Sequence, residues 1–164
     1  MGKSKEKEVK SVDKLLREKK IYQIVNPKLV QASPDISLRE AIQLMQKNKS
    51  GYIVVAEKKK VVGIFTEVDV ARKVLEKNMD WNRPLREFMA PNPVVLNLKD
   101  SVGQAIDLMG ENRFYHIPLV DDKQELVNVI SVRTLIRFLA EFYPTEVYNL
   151  PPRHDQIMAT PEGG

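Results

Sequence analysis

The chain has 164 residues, with 26 Lys and Arg against 22 Asp and Glu, a mean hydropathy of −0.33 and no cysteine. The missing cysteine excludes disulfides, thiol catalysis and thiolate metal sites, and no apolar run nears the ~18 residues of a membrane span or supplies the core of a signal peptide. The formal excess of +4 lies wholly in residues 1–20, with eight basic and four acidic side chains, so the remainder is neutral and lacks the concentrated basic face that nucleic-acid binding wants.

Residues 1–10 carry charge without apolar spacing and read as loosely ordered. Behind Ser11, the spacing of Val12, Leu15 and Leu16 predicts a helix to about Lys19. Ile21 to Val25 and Leu29 to Ala32 read as short strands, broken by Asn26-Pro27. A helix runs from Ser37 to Asn48, with Leu38, Ala41, Ile42 and Met45 on one face. Gly51 then releases the strand Tyr52 to Ala56, the charged tip Glu57-Lys58-Lys59-Lys60 reverses it, and Val61 to Phe65 returns antiparallel.

Thr66 and Asp69 open the next helix, expected to reach about Lys77. One reading of the pair is a cap, in which the Thr66 hydroxyl accepts from the amide three residues on and the Asp69 carboxylate reaches back to the Thr66 amide. The other is a ligand site, because a helix N-terminus attracts anions and an adjacent carboxylate can accept both hydroxyls of a ribose. Asn78 to Pro84 forms a linker, whose Trp81 is expected to plug a gap between units.

Past the linker come a short helix at Leu85 to Met89, a strand at Val94 to Leu96 and a helix at Ser101 to Asn112. Strands at His116 to Val120 and Leu126 to Ile130 and a helix at Val132 to Phe142 follow. Pro118 confines its strand to an edge or its own first residues. From Pro144 onward prolines and glycines interrupt every periodicity and predict an extended tail, with Tyr148-Asn149-Leu150 as its docking candidate.

The second half restates the first. Ser37, Ala41, Ile42, Leu44 and Met45 recur as Ser101, Ala105, Ile106, Leu108 and Met109, and Asn48, Lys49 and Ile53 recur as Asn112, Arg113 and Ile117, all at an offset of 64 residues. After one inserted residue the offset becomes 65, which sets Gly63 against Asn128, Thr66 against Ser131 and Asp69 against Thr134. A period of that size is a duplicated supersecondary unit, too long for a solenoid repeat.

The repeated order of strand, helix, strand, strand, helix resembles a CBS domain, the motif named after cystathionine β-synthase, and two in tandem resemble a CBS pair or Bateman module. The resemblance rests on Gly63-Ile64-Phe65-Thr66-Glu67-Val68-Asp69, on Pro84-Leu85-Arg86-Glu87-Phe88-Met89 leading into Pro93-Val94-Val95, and on Arg113 to Val120; it covers roughly Tyr22 to Tyr143. It implies an α+β fold of two β-α-β-β-α units packed about a pseudo-twofold axis. The expected divisions are a basic arm and helix (1–20), the first motif (21–79), a linker (80–83), the second motif (84–143) and the tail (144–164).

By the same resemblance the ligand is an adenine nucleotide or adenosyl compound, AMP or ATP foremost, lying between the units and acting as a regulatory ligand; no cofactor is required. Asp69 would hold the ribose hydroxyls, Thr66 the phosphate or ribose, and Ile64 would line the base pocket. The other unit would offer Tyr115 and His116 to the base and Arg113 to a phosphate. In the second copy Ser131 keeps the cap, but Thr134 replaces the acid and cannot act as a charged, two-pronged acceptor, so that site is expected to be weak or empty.

Catalysis would need a nucleophile beside a base, paired carboxylates or a metal cluster. The two histidines, His116 and His154, have no ligand-spaced partners, and neither a phosphate loop nor a dinucleotide fingerprint is present, so no catalytic or metal residue is assigned. The sequence thus reads as a stand-alone, cytoplasmic, non-enzymatic regulatory module, a homodimer that signals to an effector protein in trans. The other reading is a ligand-free structural or interaction module that dimerises or docks a partner.

Overall fold

A computed structural model describes residues 12–74 and 79–142; the end of the first unit's last helix near Lys77 and the docking candidate Tyr148-Asn149-Leu150 lie outside the described residues. Residues 12–18 form helix α1. Ile21–Gln23 is a single 3₁₀ turn where a strand was expected. Its first two amides are taken one by one by the second unit, Ile21 donating to the Asp100 carbonyl and Tyr22 to that of Leu98, each at 3.0 Å, and no ladder forms.

The first unit continues with β1 (Gln31–Ala32), α2 (Leu38–Asn48), β2 (Tyr52–Glu57) and β3 (Lys60–Thr66). Helix α3 (Glu67–Asp69) widens at once into π-helical turns over Val70–Val74. The second unit follows with a 3₁₀ turn at Leu85–Glu87, then β4 (Ala90–Pro91), β5 (Leu96–Asn97), α4 (Val102–Asn112), β6 (His116–Val120), β7 (Leu126–Ser131) and α5 (Val132–Phe142). The sheets have orders β1-β2-β3-β4 and β5-β6-β7. The architecture is mixed α+β, two sheet-plus-helix units.

Local chemistry accounts for the helix ends. Ser37 with Glu40, and Ser101 with Gln104, form reciprocal capping boxes at the same place in the two copies. Both helices end on a cationic residue in the left-handed region, Lys49 (φ 48°) and Arg113 (φ 56°). Pro118 lies in β6, the middle strand, yet β5 pairs only with Leu119 and Val120, so at Pro118 the strand has a partner on one side alone. Trp81 does not plug a gap: the residue is 37% exposed, and its carbonyl accepts from the Arg39 amide.

The cores do not follow the order of the chain. Ile21, from the first motif, is fully buried among Leu96, Val102, Ala105 and Ile117 of the second. Leu85 and Phe88, from the start of the second motif, sit in the core of the first with Leu38, Val55 and Phe65. Leu85 lies 64 residues after Ile21, so the two copies exchange equivalent segments. The backbone repeats the exchange: Val102 donates to Lys19 at 2.8 Å as Leu38 donates to Arg83 at 2.9 Å, and the bridge Lys20–Ser101 matches Ser37–Pro84. Each unit is completed by a piece of the other.

The hairpin between β2 and β3 carries local strain. Glu57 pairs with Lys60, leaving a two-residue turn in which Lys58 (φ 47°) and Lys59 (φ 66°) are both left-handed, a conformation that favours Asn-Gly. The double substitution Lys58→Asn, Lys59→Gly should therefore raise stability by about 1 kcal/mol, read as a higher urea midpoint. The Lys59–Glu125 ion pair lost at 3.6 Å is exposed on the lysine side and worth little, and the bond from the Leu126 amide to the Lys59 carbonyl is kept.

Candidate functional site

Residues one offset apart meet where the units face each other. Tyr52 begins β2 and His116 begins β6, 64 residues later, and their rings lie 4.8 Å apart, tilted by 37°. The pair marks the pseudo-twofold junction. Across their sheets, Tyr52 is in register with Thr66 and His116 with Ser131. The helix-opening motif of each copy therefore sits beside the junction, one on either side.

A cavity of about 450 Å³ opens on the side of the second copy, within the size range of small-molecule sites. The first unit contributes Gly51, Tyr52 and Glu67, and the second contributes Tyr115, His116, Ser131 and Thr134. Lys28, Lys49, Arg133 and Arg137 add four cationic side chains to its walls. The Ser131 hydroxyl accepts from the Thr134 amide at 3.2 Å and lies 3.1 Å from the Thr134 hydroxyl, so the first turn of α5 is capped and faces the cavity. Tyr115 is 62% exposed and leaves a ring face open to solvent.

The first copy is arranged differently. Asp69 Oδ2 accepts from the Thr66 amide at 2.9 Å and from the Thr66 hydroxyl at 3.0 Å. Its Oδ1 pairs with Lys73 Nζ at 2.8 Å, and that ammonium also donates to the Phe88 carbonyl at 2.7 Å. The carboxylate is thus engaged by its own cap and by a lysine, with 14% of the side chain exposed. Neither Thr66 nor Asp69 lines the cavity.

Of the residues singled out from the sequence, the structure brings together Tyr115, His116, Ser131 and Thr134 around the cavity. Thr66, Asp69, Ile64 and Arg113 lie outside it. Ile64 is held in register with Ala90 of β4, and Arg113 closes the end of α4. The glycine of the motif is tight in the first copy: a Cβ on Gly63 would collide with the Met89 thioether. In its counterpart the Asn128 side chain reaches out instead and donates to the Asn26 carbonyl at 2.8 Å.

Sequence reasoning missed Lys28, Lys49, Tyr52, Glu67, Arg133 and Arg137. The offset held a signal for two of them, since Tyr52 is the counterpart of His116 and Lys49 that of Arg113. Lys28 comes from a segment with no motif, and only folding puts it here, whereas Arg137 lies one turn beyond Thr134 on α5, where helical spacing was a signal. Among the described residues no cluster of His, Asp or Glu could hold a metal ion, and no helix is long and apolar enough to cross a membrane.

Burial lowers the affinity of His116 for a proton, an effect that the charge of nearby Glu67 partly offsets. A base whose folded value is depressed contributes stability that is fully present above its ordinary value near 6.5 and is lost as pH falls through the folded value. The ligand-free chain should accordingly lose thermal stability on acidification below about pH 6.5, and His116→Gln should flatten that part of the profile. An unchanged slope in the variant would assign the effect to other groups.

A family model for the CBS domain matches residues 21–76 and again residues 85–141. An uncharacterised 17.7 kDa protein of Acidianus ambivalens is 29% identical over 125 residues, covering 76% of this chain and 75% of that protein. MJ1225 of Methanocaldococcus jannaschii is 31% identical over 153 residues, 83% of this chain, which spans only 55% of MJ1225. The crystal structure of MJ1225, described as a proposed archaeal homologue of γ-AMPK, matches with a TM-score of 0.68 at 28% identity over 75% of this chain and 50% of that one. The CBS domain pair of MJ0100, solved in complex with 5′-methylthioadenosine and S-adenosyl-L-methionine, shares the fold with a TM-score of 0.68 at 20% identity, over 75% of this chain and 97% of that one.

Proposed function

The chain belongs to the CBS domain family, and from that premise we propose that it is a regulatory module that binds an adenine nucleotide between its two units. The observation that carries this reading is the basic cavity at the junction, where the open ring of Tyr115 and the half-buried His116 are available to a base and the hydroxyls of Ser131 and Thr134 to a sugar or phosphate. The adenosyl ligands in the MJ0100 complex belong to that protein and lend the reading only a shared fold. Regulation follows from position. A ligand contacting both units favours the arrangement of units that fits it, and only such a difference in affinity can shift a population.

The motif of the first copy points to Asp69 as the ribose holder, whereas the geometry favours the cavity by Ser131 and Thr134; one substitution separates the two. Asp69→Ala should leave nucleotide affinity within about twofold if the cavity is the site and should abolish binding if Asp69 grips the sugar. In either case stability should fall by roughly 0.5–2 kcal/mol through loss of the cap. The same reading includes an effector protein in trans, a cytoplasmic setting, no catalytic role and a homodimer. The open apolar groove between α2 and the π-helical turns after α3, lined by Ile42, Met45, Val70 and Ala71, is available for self-association, which sedimentation would read.

A second reading, a ligand-free interaction module, is favoured by the Asp69 carboxylate being engaged within its own unit. Thermal melting of the full chain with AMP, ADP, ATP and S-adenosylmethionine decides between them. A ligand at 100 times its Kd should add about 2.7 kcal/mol, and no shift with any of the four leaves the ligand-free module.

A further inference from the structure

We infer that the cavity at the junction selects its ligand by phosphate number, taking adenosine di- and triphosphates over the monophosphate and excluding adenosyl sulfonium compounds. The inference rests on the adenine-nucleotide reading above. Its basis is an imbalance of charge: four cations line the cavity, with Glu67 as their one carboxylate. Some basic side chains elsewhere are paired, as Lys73 is with Asp69, Arg83 with Glu87 and Lys99 with Asp122. Among the described residues none of Lys28, Lys49, Arg133 and Arg137 makes a salt bridge.

Two of the four are held in place without a counter-charge. Lys28 Nζ donates to the Asn48 carbonyl at 2.8 Å. Arg137 reaches the Asn26 amide oxygen at 3.0 and 3.2 Å when that amide is turned oxygen-inward. The other two, Lys49 and Arg133, lie on opposite units, Lys49 at the end of α2 and Arg133 in the first turn of α5. Like charges gathered on one cavity repel one another, and a polyanion spanning the two units removes that repulsion. A monophosphate brings less charge and fewer oxygens to the two sides than a di- or triphosphate does. A sulfonium ligand brings its positive charge to a positive wall.

Calorimetric titration of the full chain without magnesium, using ATP, ADP, AMP, adenosine, S-adenosylmethionine and inorganic triphosphate, tests this. Affinity should drop about tenfold for each phosphate removed from ATP to AMP, since charge-assisted hydrogen bonds are the strong ones. S-adenosylmethionine should not bind. Arg133→Ala, and Lys49→Gly, which suits the left-handed backbone there, should each flatten the series, weakening ATP most and adenosine least. Equal binding of AMP and ATP, or binding of S-adenosylmethionine as tight as that of ATP, overturns the selection but leaves the nucleotide reading standing. Inorganic triphosphate binding as tightly as ATP, or no binding by any adenine compound, overturns that reading as well.

Discussion

Truncating either Ile21 or Leu85 to alanine should destabilise the chain by about 2–5 kcal/mol, the range for emptying a fully buried large aliphatic position. The two should act alike because they are the same residue of the repeat, each completing the other unit's core. Unfolding should remain a single transition in both variants, since neither unit keeps its core when the exchanged segment leaves. Residues 1–79 and 80–164 expressed separately should accordingly show no cooperative melt, and mixing them should restore one. A half that melts cooperatively by itself would show that the exchange is dispensable.

Reversing the charge at Lys49 and Arg133 together, as Lys49→Glu with Arg133→Glu, should weaken ATP binding by a hundredfold or more. Two charge-assisted contacts worth roughly 1.5–3 kcal/mol each are removed, and repulsion takes their place. The melting temperature of the free chain should hold or rise, because the new carboxylates face Lys28 and Arg137 across the same cavity. Calorimetry and melting read the two effects apart. Unaltered ATP affinity in a folded double variant would remove the cavity from consideration as the nucleotide site.

Both expectations concern features with different visibility in the chain. The units and most of their elements were legible because the signals are local. Ser37 with Glu40 and Ser101 with Gln104 cap their helices within four residues, and apolar spacing marks the buried faces of α2 and α4. Ser131 and Thr134 were legible as candidates because they sit in the repeated motif, and Tyr115 and His116 through the family resemblance of their strand. Lys28 was not, because it approaches the site from an unrelated segment, and Arg137, one turn beyond Thr134 on α5, was passed over because it lies outside the motif. The turn at Ile21 read as a strand because its burial comes from a unit more than seventy residues away along the chain, at Leu96 and beyond.

By itself the sequence determined that there are two copies of one unit, which residues correspond between them, and that the second copy lacks the acid of the first. A repeat offset is arithmetic on residues and needs no coordinates. Only the tertiary structure decided that the copies trade their leading segments, that Tyr52 and His116 meet at the junction, and that four cations share one cavity with no salt bridge among the described residues. It also engaged the Asp69 carboxylate with its own cap and with Lys73. The physical reason is that a carboxylate three residues after a threonine suits a cap and a ribose equally well, and only the groups packed around it choose between them.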